Sequence, residues 1–333
     1  MSSEDRSRRL RLRRTASVVF LVGGILLIAL AAGSTLLRVP LLGIFLAAQA
    51  FWQMLLAAAV IVLLIGLAIT ALSRKRDLLV LSAVVSLVAT AGLMVSMTTR
   101  SQVTNPAGIQ KTGELRILSW NTNQQDVSVE QLEHLILKLH PNVVALPEYF
   151  PQVAKGTLSS VAGENDMQIV GSENSSATLL VSKQLGDYRI VDAANTPAWA
   201  GFLAQSSDAA APPLLVAHLQ RPSIVGASTW ASHIAWVRDA CSTRAGVVAV
   251  GDFNGTDTNI RSAGQLACDD AASSLGIDST GTWPANLPGG VGAAIDHVMA
   301  TKNWKARSYA VLGGQDAGGS DHRPIFVTLD KRM

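Results

Sequence analysis

Three long stretches without a charged residue fall within the first hundred positions, and the rest of the fold must be arranged around them. They run from about Ala16 to Leu37, from Val39 to Leu72 and from Leu78 to Thr98. A hydrocarbon core about 30 Å thick is crossed by ~20 helical residues, so each stretch is long enough for one crossing. The second is longer than one crossing needs. Pro40 and Gly43 suit a turn or an interfacial piece, which leaves a helix over roughly 46–72. Phe51 and Trp52 then lie near its outer end, where aromatic rings favour the membrane interface. A cleaved signal peptide competes for the first stretch, but its apolar run exceeds a signal core and two further runs follow. Core helices of a soluble domain fit less well, because all three would need burial on nearly every face.

The arginines orient these spans. Arg6, Arg8, Arg9, Arg11, Arg13 and Arg14 precede the first, and Arg74, Lys75 and Arg76 separate the second from the third. Positive residues stay on the cytoplasmic side. The expected organisation is therefore a cytoplasmic Arg-rich tail over 1–15, three transmembrane helices within 16–98 (about 16–37, 46–72 and 78–98), a linker over 99–113, and an extracytoplasmic domain over 114–333. A nucleic-acid-binding arm is the competing reading of the tail.

The spans also explain the composition. The chain is 49 % hydrophobic with a mean hydropathy of +0.30. Residues 1–100 carry 11 Lys/Arg against 3 Asp/Glu, so of the chain's net +3, residues 101–333 are left with −5. A non-specific nucleic-acid binder usually carries a basic face, and this part is mildly acidic. Cys241 and Cys268 both fall in the expected external part, where a disulfide is allowed; two buried thiols fit the sequence equally well.

Beyond the linker, short apolar runs alternate with amphipathic segments. Strands are expected at Leu115–Trp120, Val143–Leu146, Thr178–Val181, Leu214–Ala217, Val247–Val250, Ala294–Met299 and Ile325–Leu329. Ser128-Val-Glu-Gln131 is a capping box before a helix whose apolar face is Leu132, Leu135, Ile136 and Leu139. A second helix is expected from about Ala227 to Ala240, carrying Trp230, Ile234, Val237 and Cys241 on or near one face. This is a mixed α/β domain; the pattern does not say whether its strands form one sheet or two.

Five short motifs then carry chemistry: Ser119-Trp120-Asn121, Pro147-Glu148, Gly251-Asp252-Phe253-Asn254, Ile295-Asp296-His297 and Ser320-Asp321-His322. Asn121, Glu148, Asp252 and Asp296 are each expected at a strand end. In Gly-Asp-Phe-Asn, residues two apart in extended chain share a face, which pairs Asp252 with Asn254. An acid can orient or deprotonate water while an amide donates to a phosphate oxygen. An Asx-turn closing the strand is the simpler account of the tetrapeptide. Asp321 and His322 are adjacent, as an acid for a cation and an imidazole for a phosphate or a proton.

Taken together, these motifs resemble the endonuclease/exonuclease/phosphatase superfamily, the DNase I-like phosphoesterases, over about Leu115 to Leu329. The resemblance implies a four-layer α/β sandwich behind the three transmembrane α-helices. It implies that Glu148 is the main ligand of a Mg²⁺ or Mn²⁺ ion, with Asn121 and Asp321 completing the site. It assigns Asp252 to the attacking water, Asn254 and His218 to phosphate oxygens, and His322, supported by Asp296, to the developing charge or a proton. His297 and Trp283 are weaker candidates, for support of the site and for a pocket wall. Two departures stand out. Pro147 precedes Glu148 where the family often has Gln. Between Phe150 and Ala217, where members place another acid or tyrosine, no motif selects among Glu164, Asp166, Glu173 and Asp187.

Spans followed by this domain are similar to actinomycete membrane phosphoesterases linked with teicoplanin resistance, which implies a substrate such as undecaprenyl pyrophosphate. The expected partners are the bilayer and a membrane lipid or lipid-linked phosphate. An extracytoplasmic nuclease acting on DNA or RNA is the alternative, and a catalytically silent membrane scaffold the third reading.

Overall fold

The protein is described by a computed structural model covering residues 3–36, 52–73, 76–99, 114–223, 225–277, 280–290 and 292–332. The turn expected at Pro40 and Gly43, the interfacial position of Phe51 and the linker beyond Thr99 lie outside these residues. Two compact units divide the chain, one helical and N-terminal, the other α/β.

The helical unit contains α1 (Ser3–Leu36), α2 (Trp52–Ser73) and α3 (Arg76–Thr99). The first helix begins well before Ala16 and carries the arginine-rich tail as helix. No Pro or Gly interrupts the chain between Ser3 and Val22, and arginine is a good helix former. Ser7–Ala31 and Met54–Leu72 are long and apolar enough to cross a membrane, and α3 contributes a shorter apolar stretch, Leu79–Gly92. Leu21, Val60, Leu63 and Ala89 pack together inside the unit, with Ile28 and Val85 against them. Gly24 makes room for Leu63, since a β-carbon there would stand 2.5 Å from its Cγ. Ser17, Thr70 and Thr90 donate their hydroxyls to carbonyls four residues back, so these polar atoms need no outside partner. The outward faces are apolar: Val18, Val22, Ile25, Ile61, Leu64 and Leu87 are all exposed.

The α/β unit holds two six-stranded sheets. The first contains β1 (Glu114–Ser119), β2 (Val143–Pro147), β3 (Met167–Val170), β4 (Ala177–Ser182), β11 (Trp304–Val311) and β12 (Ile325–Lys331), in the order β11-β12-β1-β2-β4-β3. The second contains β5 (Tyr188–Val191), β6 (Gly201–Ser206), β7 (Leu214–His218), β8 (Val248–Asp252), β9 (Cys268–Asp270) and β10 (Asp296–Thr301), in the order β5-β6-β7-β8-β10-β9. Each has one parallel pair, β1–β2 and β7–β8, among antiparallel neighbours.

Alternation along the strands builds the layers. Val143 and Ala145 face the core between the sheets, whereas Val144 and Leu146 face outward. Likewise Val248 and Val250 point inward while Ala249 points out. On the first sheet's outer face lies α4 (Val129–Leu139), burying Leu132, Leu135, Ile136 and Leu139. Ser128 caps it, accepting from the Gln131 N–H. Two short helices, α5 (Pro151–Thr157) and α6 (Ser159–Glu164), complete that face. On the other sheet lies α7 (Ala227–Thr243), inserting Trp230, Ile234 and Val237, and α8 (Asp257–Ser262) places Ile260 in the same cluster. A last short helix, α9 (Ala271–Ser274), follows β9. The result is the expected helix–sheet–sheet–helix sandwich.

Strands β3, β5, β6, β9 and β11 were not expected. Four of them, β3, β5, β9 and β11, are sheet edges, where one side of the strand is unpaired and the apolar run is weaker, and β6 lies next to the edge strand β5. Cys241 and Cys268 form a disulfide joining α7 to β9, with Cα atoms 5.5 Å apart.

Candidate active site

The expected residues converge where β1, β2, β7 and β8 end. Asn121 lies two residues past β1, Glu148 one past β2, His218 ends β7 and Asp252 ends β8. Asp296 corrects the expectation, because it begins β10 instead of ending it. Since β10 runs antiparallel to β8, the register pairs Asp296 with Asp252 and puts both acids on the same sheet edge. Gly251 makes the approach possible. Its φ is +136°, and a β-carbon would collide with the Ala217 carbonyl on the adjacent strand.

Asn121 sits at the centre. Its Nδ2 donates to Glu148 Oε1 at 3.1 Å and to Asp252 Oδ2 at 2.9 Å, while its Oδ1 accepts from the Asn123 N–H at 3.0 Å. The other oxygen of Glu148 accepts from the Gln124 N–H at 3.1 Å. His218 Nε2 lies 3.5 Å from Glu148 Oε1. Asn254, with φ +49°, donates its backbone N–H to Asp252 Oδ1 at 2.7 Å, so the tetrapeptide does close as an Asx-turn. Its side-chain Nδ2 donates to the Leu219 carbonyl at 2.9 Å and lies 3.3 Å from Asp252 Oδ2, so Asn254 also faces that carboxylate.

Opposite stands His322. Its Nδ1 is 2.9 Å from Asp296 Oδ2, and its Nε2 is 3.9 Å from Asp252 Oδ2. Burial opposes charge on this imidazole, but Asp296, Asp252 and Asp321 outweigh it and push its pKa up to about 9. Asp252 moves upward too: burial and Asp296 raise its carboxyl, and His322 and His218 pull it partly back. Ser320 Oγ donates to the Asn121 carbonyl and accepts from the His322 N–H, and Trp120 Nε1 donates to the His322 carbonyl. The first and last motifs are thereby locked together. Asp321 stands further out. Its Oδ2 accepts from Trp283 Nε1 at 2.8 Å, and the Trp283 ring lies 6.5 Å from that of His322. Trp283 therefore lines the His322 side.

The donor chemistry fits a divalent cation. Glu148 and Asp252 bring two carboxylates onto one amide, and Asp296 Oδ1 is buried without a hydrogen-bond partner. Oxygen donors of this kind suit Mg²⁺ or Mn²⁺. Ligand atoms of Asp252, Asp296 and His322 also lie within 4.8 Å of one another. A cation on His322 would compete with the proton that Asp296 favours there, so the Glu148–Asn121–Asp252 side is the better oxygen site.

Several supporting residues were not visible in the sequence. Ser176 Oγ shares a 2.6 Å hydrogen bond with His218 Nδ1, in the interval where no acid could be selected. Glu164 and Asp166 instead make surface contacts with Ser160 and Lys183. His233 Nδ1 accepts from the Gln220 N–H and so fixes the loop after His218; burial and His218 hold its pKa low. Thr282 Oγ1 accepts from the backbone N–H groups of Ile295 and Asp296. His297 points away from the site, between Asp270 Oδ2 and the Gly255 carbonyl, both at 2.9 Å. No short motif marks these partners, because each comes from a distant segment. A pocket of about 110 Å³ lined by Asn174, Thr196, Pro197 and Phe202, among others, contains none of the candidate catalytic groups.

Residues 118–322 match the model of the Endonuclease/Exonuclease/phosphatase family. The chain belongs to this family. Among solved structures, a family protein from Bacteroides thetaiotaomicron is similar with a TM-score of 0.51 at 14 % identity, covering 66 % of this chain and 98 % of that one. The 3′ phosphatase NExo from Neisseria, solved with a product DNA hairpin, gives 0.51 at 17 % identity, covering 66 % and 100 %. A Bacteroides vulgatus family protein gives 0.49 at 14 % identity, covering 66 % and 99 %. At these identities the likeness to the first two establishes the fold alone. No curated protein matches the chain in sequence. Members of the family hydrolyse phosphate esters with a divalent metal, and the α/β domain is a phosphoesterase or nuclease fold with a candidate metal-binding group.

Proposed function

We propose that this is a membrane-anchored, Mg²⁺-dependent phosphoesterase acting on a membrane lipid or a lipid-linked cell-envelope phosphate such as undecaprenyl pyrophosphate. The observation that carries the hydrolytic part is the facing pair Asp252 and His322, 3.9 Å apart, each held by its own buried partners. Asp252, fixed by Asn121 and the Asn254 N–H, orients water and accepts its proton. His322, kept protonated by Asp296, donates to a phosphoryl oxygen as charge develops there. His218, steadied by Ser176, holds a second oxygen, and Asn254 can reach a third by releasing Leu219. A divalent ion held by Glu148 on the Asn121 side would neutralise charge on the transferred group and the leaving oxygen, while Asp321, bound to Trp283, stands outside that set.

The lipid part rests on α1–α3. Their outward faces carry exposed Val, Ile and Leu, which suit hydrocarbon better than water. In this reading all three helices cross the membrane, the N-terminal arginines stay in the cytoplasm, and the domain from Glu114 onward works outside near lipid headgroups. The −5 of residues 101–333 weighs against a nucleic-acid substrate.

The test is a panel assay of full-length protein in detergent with undecaprenyl pyrophosphate, phospholipids, nucleotides and plasmid DNA, each with Mg²⁺, Mn²⁺ or chelator. Lipid-linked phosphate should be hydrolysed, with loss on chelation. Asp252→Asn and Glu148→Gln should each lower kcat on the order of 10²–10⁴-fold with unchanged circular dichroism. Efficient DNA cleavage with lipids untouched would establish the nuclease alternative instead, and full turnover in both variants would remove the site assignment.

A further inference from the structure

Outside α1–α3, the described residues leave four large hydrophobic side chains exposed: Leu137, Val153, Trp199 and Val225. The first two lie on α4 and α5. Trp199 and Val225 lie on loops at the His218 edge of the second sheet. The His218 N–H donates to the carbonyl of Ala200, next to Trp199 in the chain, and Val225 lies on the loop that leaves His218 for α7.

Neither loop is slack. The Trp199 N–H donates to the Asn174 carbonyl at 3.0 Å, and its own carbonyl accepts from Ser176 Oγ, the hydroxyl that also holds His218. Yet Trp199 has φ +65°, a region sparsely populated by residues with a β-carbon, and it is 56 % exposed. A bulky indole in a left-handed backbone with its ring in solvent serves neither local conformation nor core packing. Such an outlier beside a catalytic group points to function. Val225 is 88 % exposed, although the Gly226 N–H to Ser223 Oγ bond and the Gln220 N–H to His233 Nδ1 bond brace its loop.

We propose that Trp199 and Val225 form an apolar rim beside His218 that receives the hydrocarbon chain of the substrate whose phosphoryl group sits at Asp252 and His322. The proposal rests on the lipid-phosphate reading above and names the contact that would select long-chain substrates. An aromatic ring alone could stack on a nucleobase, but the aliphatic Val225 offers no such surface, and the −5 of residues 101–333 repels a polyanionic strand. A hydrocarbon chain gains from both side chains. Tryptophan also suits the boundary between headgroup and chain, being apolar in body with one polar N–H.

The experiment compares undecaprenyl diphosphate with geranyl diphosphate on the full-length protein in micelles. Trp199→Ala should lower the ratio of long-chain to short-chain kcat/KM by roughly tenfold, mainly through KM. Val225→Ser should act in the same direction, and Trp199→Phe should restore most of the ratio. An unchanged ratio in Trp199→Ala, or equal loss on both substrates, would overturn the rim. Binding of undecaprenyl phosphate and geranyl phosphate, measured on Asp252→Asn protein with and without Trp199→Ala, separates the two claims. If the wild type hydrolyses neither diphosphate but chain-length-dependent binding requires Trp199, the rim stands and the proposed reaction falls. If binding ignores chain length or Trp199, the rim falls whatever the hydrolysis assay shows.

Discussion

At the scale of single residues, the motifs of the candidate active site owe their order to buried polar partners behind them. His297 is the clearest case. Its ring nitrogens face a carboxylate and a carbonyl, both acceptors, so the imidazole is held as a cation. Burial opposes that charge, but Asp270 outweighs it and pushes the pKa of His297 up to about 9. Burial would raise Asp270, and the His297 hydrogen bond reverses this and holds it below the usual carboxylate range. Removing one member of a buried pair strands the other charge. His297→Phe should therefore cost about 3–5 kcal/mol, read from the urea midpoint. It should also loosen Gly255, which follows the Asp252–Asn254 turn. The pH dependence follows from the raised pKa. The contribution of His297 is fully present below its ordinary value of 6.5 and is lost as pH rises through about 9. Wild-type stability should fall across that window, and the slope should shrink in His297→Phe; an identical slope would show that the histidine is neutral when folded.

At the scale of elements, the loops that matter are braced from outside the site. The Cys241–Cys268 bridge ties α7 to β9, and β9 carries Asp270. One chain of contacts thus runs from the disulfide through Asp270 and His297 to the Gly255 carbonyl. The bridge closes a sequence separation of 27, for which loop-closure entropy contributes about 3.5 kcal/mol. Cys241→Ser with Cys268→Ser should lower the unfolding free energy by roughly that amount, measured by denaturant titration, while leaving the far-ultraviolet circular dichroism of the folded protein unchanged. Local signals made most of these elements legible. The periodicity of Leu132, Leu135, Ile136 and Leu139 and the Ser128 cap define α4 as expected. Strands such as β5 and β9 were missed because a short edge strand has little apolar pattern of its own; its neighbours create it.

At the scale of the whole molecule, the chain joins a helical unit with apolar outer faces to a mildly acidic hydrolase domain. In the proposed arrangement the full-length protein should stay with membranes through an alkaline wash, and external protease should degrade the α/β domain in intact cells. Release by the wash would argue against spanning helices. Protection of the domain in intact cells, combined with cleavage of the purified protein, would place it in the cytoplasm.

The sequence by itself determined the apolar helices, the charge asymmetry and the identity of the acids, amides and histidines. These are local properties, carried by composition, periodicity and short motifs. Only the tertiary structure decided which of those groups face one another. Asp252 meets Asp296 because two antiparallel strands share a register, and Asn121 bridges Glu148 and Asp252 across two sheets. The same holds for Ser176 behind His218 and for Trp199 left outside the core, since a contact between distant segments leaves no periodic trace in either one.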